Sequence, residues 1–151
     1  MKYLITIMIL FQIPVMLYGQ EYVDFASKDD VKFEYKWRKK NLLKSDSPYV
    51  LYLRIKNTGF EKKLVSFELF YFWNGVVHSR SGYKEYCIRP SQKIWGKRWN
   101  LAFQSDIKTL EEIHNRSFTW EIEYINVEEN EYCKSGLKLK LEPAHKMKIS
   151  K

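Results

Sequence analysis

Three histidines, His78, His114 and His145, are the side chains of this sequence best suited to moving a proton near neutral pH. A hydrolase would need one of them beside a nucleophile and an orienting acid, yet no GxSxG elbow or other nucleophile pattern accompanies them. Glu111 and Glu112 stand just before His114, but the HExxH arrangement is absent, and adjacent glutamates point in different directions on a helix. Glu121 and Glu123 share one face of a strand pattern, which suits an exposed polar face better than a glycosidase pair. No glycine-rich phosphate cradle is present. The sequence therefore predicts no catalytic residue, no metal site and no cofactor, and keeps a hydrolase as the least favoured reading.

Binding chemistry is better represented. Between Tyr83 and Trp99, basic and aromatic side chains interleave. Stacking combined with positive charge is how glycans, acidic peptides and single-stranded nucleic acids are held. The predicted binding surface comprises Tyr83, Lys84, Arg89, Lys93, Trp95, Lys97 and Arg98. Ordinary strand alternation, aromatics inward and lysines outward, would give the same pattern. The chain carries 26 Lys and Arg against 18 Asp and Glu, a formal charge of +8. That excess attracts acidic partners through its long-range field, and it also favours solubility.

Cys87 and Cys133 are the only cysteines. No CxxC pair and no histidine at ligand spacing accompanies them, so metal binding has no support. The first nineteen residues, MKYLITIMILFQIPVMLYG, place Lys2 before an apolar run from Tyr3 to Tyr18 and end on the small residue Gly19. This is the pattern of a signal peptide over 1–19. The run, interrupted by Gln12 and Pro14, falls short of the roughly 20 apolar residues needed to cross a bilayer, so no membrane span is expected after cleavage. A secreted or periplasmic location follows, and with it a Cys87–Cys133 disulfide. Export also argues against a nucleic-acid partner. Asn115-Arg116-Ser117 matches the glycosylation acceptor pattern, which matters only in a cell with that machinery.

The elements that must position these residues are mostly strands. Val31, Phe33, Tyr35 and Trp37 alternate with Lys32, Glu34, Lys36 and Arg38. Tyr49 to Ile55 repeats that pattern, and Leu64 to Trp73 follows with a second apolar set, Phe70 and Phe72, in its far half. Asn74-Gly75 predicts a type I′ hairpin turn. Tyr86 to Ile88 reads as a short strand, and Trp95, Trp99, Leu101 and Phe103 read as one face of another, with Gly96 marking a bulge. Ile107, Leu110 and Ile113 predict a short helix capped by Ser105 or Asp106. Phe118 to Tyr124 and Leu137 to Leu141 complete the set, with an acidic connection over 127–131 between them.

Residues 20–151 are thus expected to form a single all-β domain, an antiparallel β-sandwich of about seven or eight strands with one short helix. The pattern resembles an immunoglobulin-like sandwich, with Trp99 following Cys87 much as the core tryptophan follows the first cysteine there. The likeness is architectural, since Glu131 replaces the tyrosine of a tyrosine corner two residues before Cys133. The expected function is that of an exported, non-enzymatic binding or envelope-structural module, with a protein or an anionic glycan as partner. A secreted inhibitor or immunity-type protein is the alternative, and its charge would direct it to an acidic toxin or hydrolase.

Overall fold

The computed structural model describes residues 21–134; the signal peptide expected over 1–19, the strand expected over Leu137–Leu141 and His145 lie outside them. The described residues form nine strands and one α-helical turn: β1 (Val23–Lys28), β2 (Val31–Lys39), β3 (Tyr49–Asn57), β4 (Lys63–Trp73), β5 (Val76–Arg80), β6 (Lys84–Ile88), β7 (Lys93–Trp95), β8 (Ala102–Gln104), α1 (Leu110–Ile113) and β9 (Phe118–Glu129). The strands make two antiparallel sheets and no barrel. In the first sheet β1, β2 and β3 form a meander, and β7 and β8 share the far edge of β3. In the second, β9 pairs along the length of β4, while β5 and β6 divide its other edge.

Period-two alternation explains why the sheets face one another. Phe33, Leu51, Leu53 and Ile55 of the first sheet and Val65, Phe67 and Leu69 of the second are all fully buried. Phe33 meets Phe67 edge-on at 6.0 Å, and Trp37 lies 6.1 Å from Tyr71. Each such side chain contributes about 1.5–3 kcal/mol by leaving water. Between the sheets the buried Tyr71 hydroxyl donates to the Phe103 carbonyl at 3.1 Å, and burial pushes its phenol well above the ordinary tyrosine range. The buried Asn57 side chain organises the crossover to β4, donating to Glu61 O and Ile88 O and accepting from the Gly59 amide.

The predicted turn at Asn74-Gly75 joins β4 to β5, with φ of 50° and 75°. One strand goes beyond the sequence expectations, and three of those expectations change. β1 exists although its Val23 and Phe25 are exposed; Asp29 and Asp30, both at positive φ, turn it into β2. Trp95 faces solvent, because Ile94 takes the inward position and the chain leaves the sheet as a 3-10 turn over Lys97–Trp99 before Leu101 resumes it. The helix starts later than expected: its cap is Thr109, whose hydroxyl accepts from the Glu112 amide while the Glu112 carboxylate accepts from Thr109 N. Finally β9 runs on through the acidic segment. A bulge at Tyr124, φ 55°, shifts the phase so that Ile122 and then Val127 point inward.

Cys87 and Cys133 are bonded, with Cα atoms 5.7 Å apart. Cys87 sits between the core residues Tyr86 and Ile88, so its side chain leaves the outer face of the second sheet. The segment after β9 reaches it, tied down by Asn130 N to Lys62 O at 3.0 Å. An immunoglobulin domain uses its bridge to join two sheets; here the bridge ties β6 to the segment that follows β9, and β6 and β9 are strands of the same sheet.

Candidate anion-binding face

Strand register gathers charge that the sequence keeps apart. Lys32 of β2 lies directly opposite Lys56 of β3, and Lys56 directly opposite Lys93 of β7. Each is exposed beside a fully buried neighbour, Val31, Ile55 and Ile94 respectively, so the three form one rung across the outer face of the first sheet. Like charges directly opposite one another destabilise a sheet. One rung further along, Glu34, Arg54 and Trp95 stand side by side. Arg54 grips the Glu34 carboxylate with two nitrogens, one at 2.7 Å, and that hydrogen bond above all holds the Glu34 carboxyl below its usual range. The next positions are Lys36 opposite Tyr52, then Arg38 opposite Val50.

This face is concave at two places. A hollow of about 290 Å³ is lined by Tyr22, Lys36, Arg38, Tyr52, Trp95, Gly96, Lys97 and Arg98. Gly96 sits at φ 66° beside the Tyr52 ring, a backbone state that L side chains adopt only under strain. Trp95 is 52% exposed, so its indole offers a stacking surface. The Tyr22 ring is already occupied, with the Arg54 guanidinium 4.1 Å and Lys36 Nζ 4.4 Å from its centroid. Burial, reinforced by Arg38 and Arg54, lowers the Lys36 pKa. A larger hollow of about 760 Å³ continues past Arg38, Tyr52 and Lys97 to the β2–β3 loop, where Lys39, Lys40 and Lys44 line it.

The outer face of the second sheet carries the opposite charge. Glu68 pairs with Glu123 across strands, and Glu85, Glu121 and Glu128 occupy neighbouring outward positions. Arg80 reaches Glu68 at 3.8 Å. The molecule is therefore electrically two-sided, a distribution that orients an approaching anion toward the first sheet.

The seven residues of the sequence-predicted surface divide between these surroundings. Lys93, Trp95, Lys97 and Arg98 come together on the basic face. Tyr83 and Lys84 belong to the β6 side of the second sheet, where Lys84 Nζ lies 6.0 Å from the Phe103 centroid and burial lowers its pKa. Arg89 lies in the turn between the sheets, its amide donating to Gln92 Oε1 at 2.8 Å. Sequence reasoning missed Lys32, Lys36, Arg38, Tyr52 and Lys56, whose outward alternation was visible but whose registration with β7 was not.

The carboxylates and histidines have other occupations. His114 Nδ1 donates to Leu110 O at 2.7 Å at the helix end, and Glu112 serves the helix cap. His78 Nε2 lies 3.1 Å from Asp106 Oδ2, both exposed, at a hollow of about 310 Å³ walled by Tyr71, Trp73, Ile107 and Phe118. Ser105 also lines this hollow, but its hydroxyl is donated to Tyr49 O at 2.8 Å. Among the described residues no group of three or more His, Cys, Asp or Glu side chains is arranged to hold a metal ion, and no helix is long and apolar enough to cross a membrane. Comparison with family models, curated proteins and solved structures finds no match to this chain.

Proposed function

We propose that this chain is an exported, non-enzymatic binding module of the cell envelope that holds an anionic macromolecule on the outer face of its first sheet. The observation that carries this reading is the Lys32–Lys56–Lys93 rung. Three lysines side by side cost the free protein stability, and a polyanion laid across them converts that repulsion into attraction. Trp95 beside the rung gives a flat apolar surface on which a sugar ring can stack, which favours an anionic glycan over a simple ion. The disulfide supports an oxidising compartment, secreted or periplasmic. The sandwich would then work as immunoglobulin-like domains do, carrying function on a sheet face and its loops.

The test is binding to a soluble polyuronate at moderate salt. The wild-type protein binds, and a Lys32→Glu, Lys56→Glu, Lys93→Glu variant of unchanged fold binds at least tenfold more weakly. Equal binding by the two proteins would reject the face. An acidic enzyme retained by the wild-type protein in place of polyuronate would favour the inhibitor alternative.

A further inference from the structure

The loop from β2 to β3 ends the basic face with two exposed leucines. Leu42 is 65% and Leu43 96% exposed, while the backbone beneath them is fixed. Lys40 N donates to Pro48 O at 2.9 Å, Asn41 N to the buried Ser47 hydroxyl at 2.8 Å, and Asn41 Oδ1 accepts from Leu43 N at 2.9 Å. Lys39 Nζ closes on Ser45 O at 2.9 Å. A loop held this firmly displays its leucines by construction. Arg38, Lys39, Lys40 and Lys44 surround them, against the single acid Asp46 within 38–48.

The β4–β5 hairpin lies at the same end of the sandwich, because Trp37 at the close of β2 packs on Tyr71 near the close of β4. Its Trp73, Val76 and Val77 are exposed as well. Apolar tips ringed by lysine match the boundary of an anionic bilayer, where leucine enters the acyl edge while cations meet headgroup phosphates. A free glycan chain would leave the leucines in water. We infer that the β2–β3 loop docks this protein peripherally on an anionic phospholipid surface, Leu42 and Leu43 inserting and the basic collar contacting headgroups.

This inference rests on the basic-face reading and names the surface that its loop end meets. The protein recovered after export is mixed with vesicles of pure phosphatidylcholine or of phosphatidylcholine with phosphatidylglycerol, and the bound fraction is measured by sedimentation. Binding is expected only to the phosphatidylglycerol vesicles. A Leu42→Ser, Leu43→Ser variant, whose loop hydrogen bonds are untouched, should lose at least tenfold in partitioning while keeping polyuronate binding within twofold. Equal binding to both vesicle types, or a serine variant that partitions like wild type, overturns the inference. So does a result in which the serine variant loses only self-association, which would assign the leucines to a second copy of the chain. Failure of the face reading shows separately, as polyuronate binding that the triple lysine reversal leaves unchanged.

Discussion

Replacing both cysteines by alanine perturbs one bond and leaves the candidate face untouched, so its consequences separate stability from binding. The two cysteines are 46 residues apart. By the chain-entropy model, closing a loop of that length removes disorder from the unfolded chain worth about 4 kcal/mol at 25 °C. The folded state has other ties at this point, Asn130 N to Lys62 O at 3.0 Å and Lys63 Nζ to Glu129 Oε1 at 2.9 Å. The cost should therefore fall mainly on the unfolded side, and the Cys87→Ala, Cys133→Ala protein should still fold. A loss near 4 kcal/mol is a large part of the roughly 5–15 kcal/mol typical of a domain. Urea unfolding at 25 °C measures it as a lower midpoint, with a steeper dependence on urea because the uncrosslinked chain exposes more surface. Polyuronate binding, measured below the midpoint, should match wild type, since the bridge lies on the opposite sheet from the basic rung. A stability loss under 1 kcal/mol would refute the entropic reasoning. Loss of binding by a folded variant would refute the separation of bridge and face.

Lys93→Glu converts one like-charge pair on the rung into an opposite-charge pair, so at low salt it should stabilise the fold by about 0.5 kcal/mol while weakening polyanion binding. The gain should vanish near 1 M salt, where the screening length is about 3 Å, and urea titrations at both salt levels check it. Burial holds the Tyr71 and Tyr86 phenols above their ordinary value of 10.0. Their folded pKa is raised, so the stability they contribute is fully present below about pH 10 and is lost as pH climbs beyond it, because the unfolded chain ionises first. Ultraviolet titration should show these two phenolates forming only with unfolding, and Tyr71→Phe should reduce that alkaline sensitivity.

Sequence reasoning reached the architecture where alternation was unbroken and both faces had different chemistry. β2 and β3 are legible because Phe33, Leu53 and Ile55 each stand between charged or polar residues, and the β4–β5 turn because Asn74-Gly75 satisfies two positive φ angles. It failed where a backbone irregularity reset the phase. Gly96 sends Lys97–Trp99 out of the sheet, so Trp95 faces solvent and Trp99 packs against the core only half-buried, from a 3-10 turn and not from a strand face shared with Leu101. Tyr124 at φ 55° moves the inward set of β9 from Phe118, Trp120 and Ile122 to Ile125 and Val127. β1 gave too little signal because an edge strand hides only part of its apolar surface; Phe25 stacks on Trp120 at 4.9 Å yet remains exposed.

The candidate site was half legible for a different reason. Lys93, Trp95, Lys97 and Arg98 are close in sequence, and composition alone marks them. Lys32 and Lys56 join them only through register, which is set by turn geometry and by which residues face the core. Nothing local to Lys32 says that Lys56 will stand opposite it, or that Lys93 will stand beyond.

Amide chemical-shift mapping with a short uronate oligosaccharide tests the central claim most directly. The account predicts perturbations that saturate together and cluster on the outer face of the first sheet, at Lys32, Tyr52, Lys56, Lys93 and Trp95, and that weaken steeply as salt is added. Shifts confined to β4 and β9, or none at all at millimolar ligand, would contradict it.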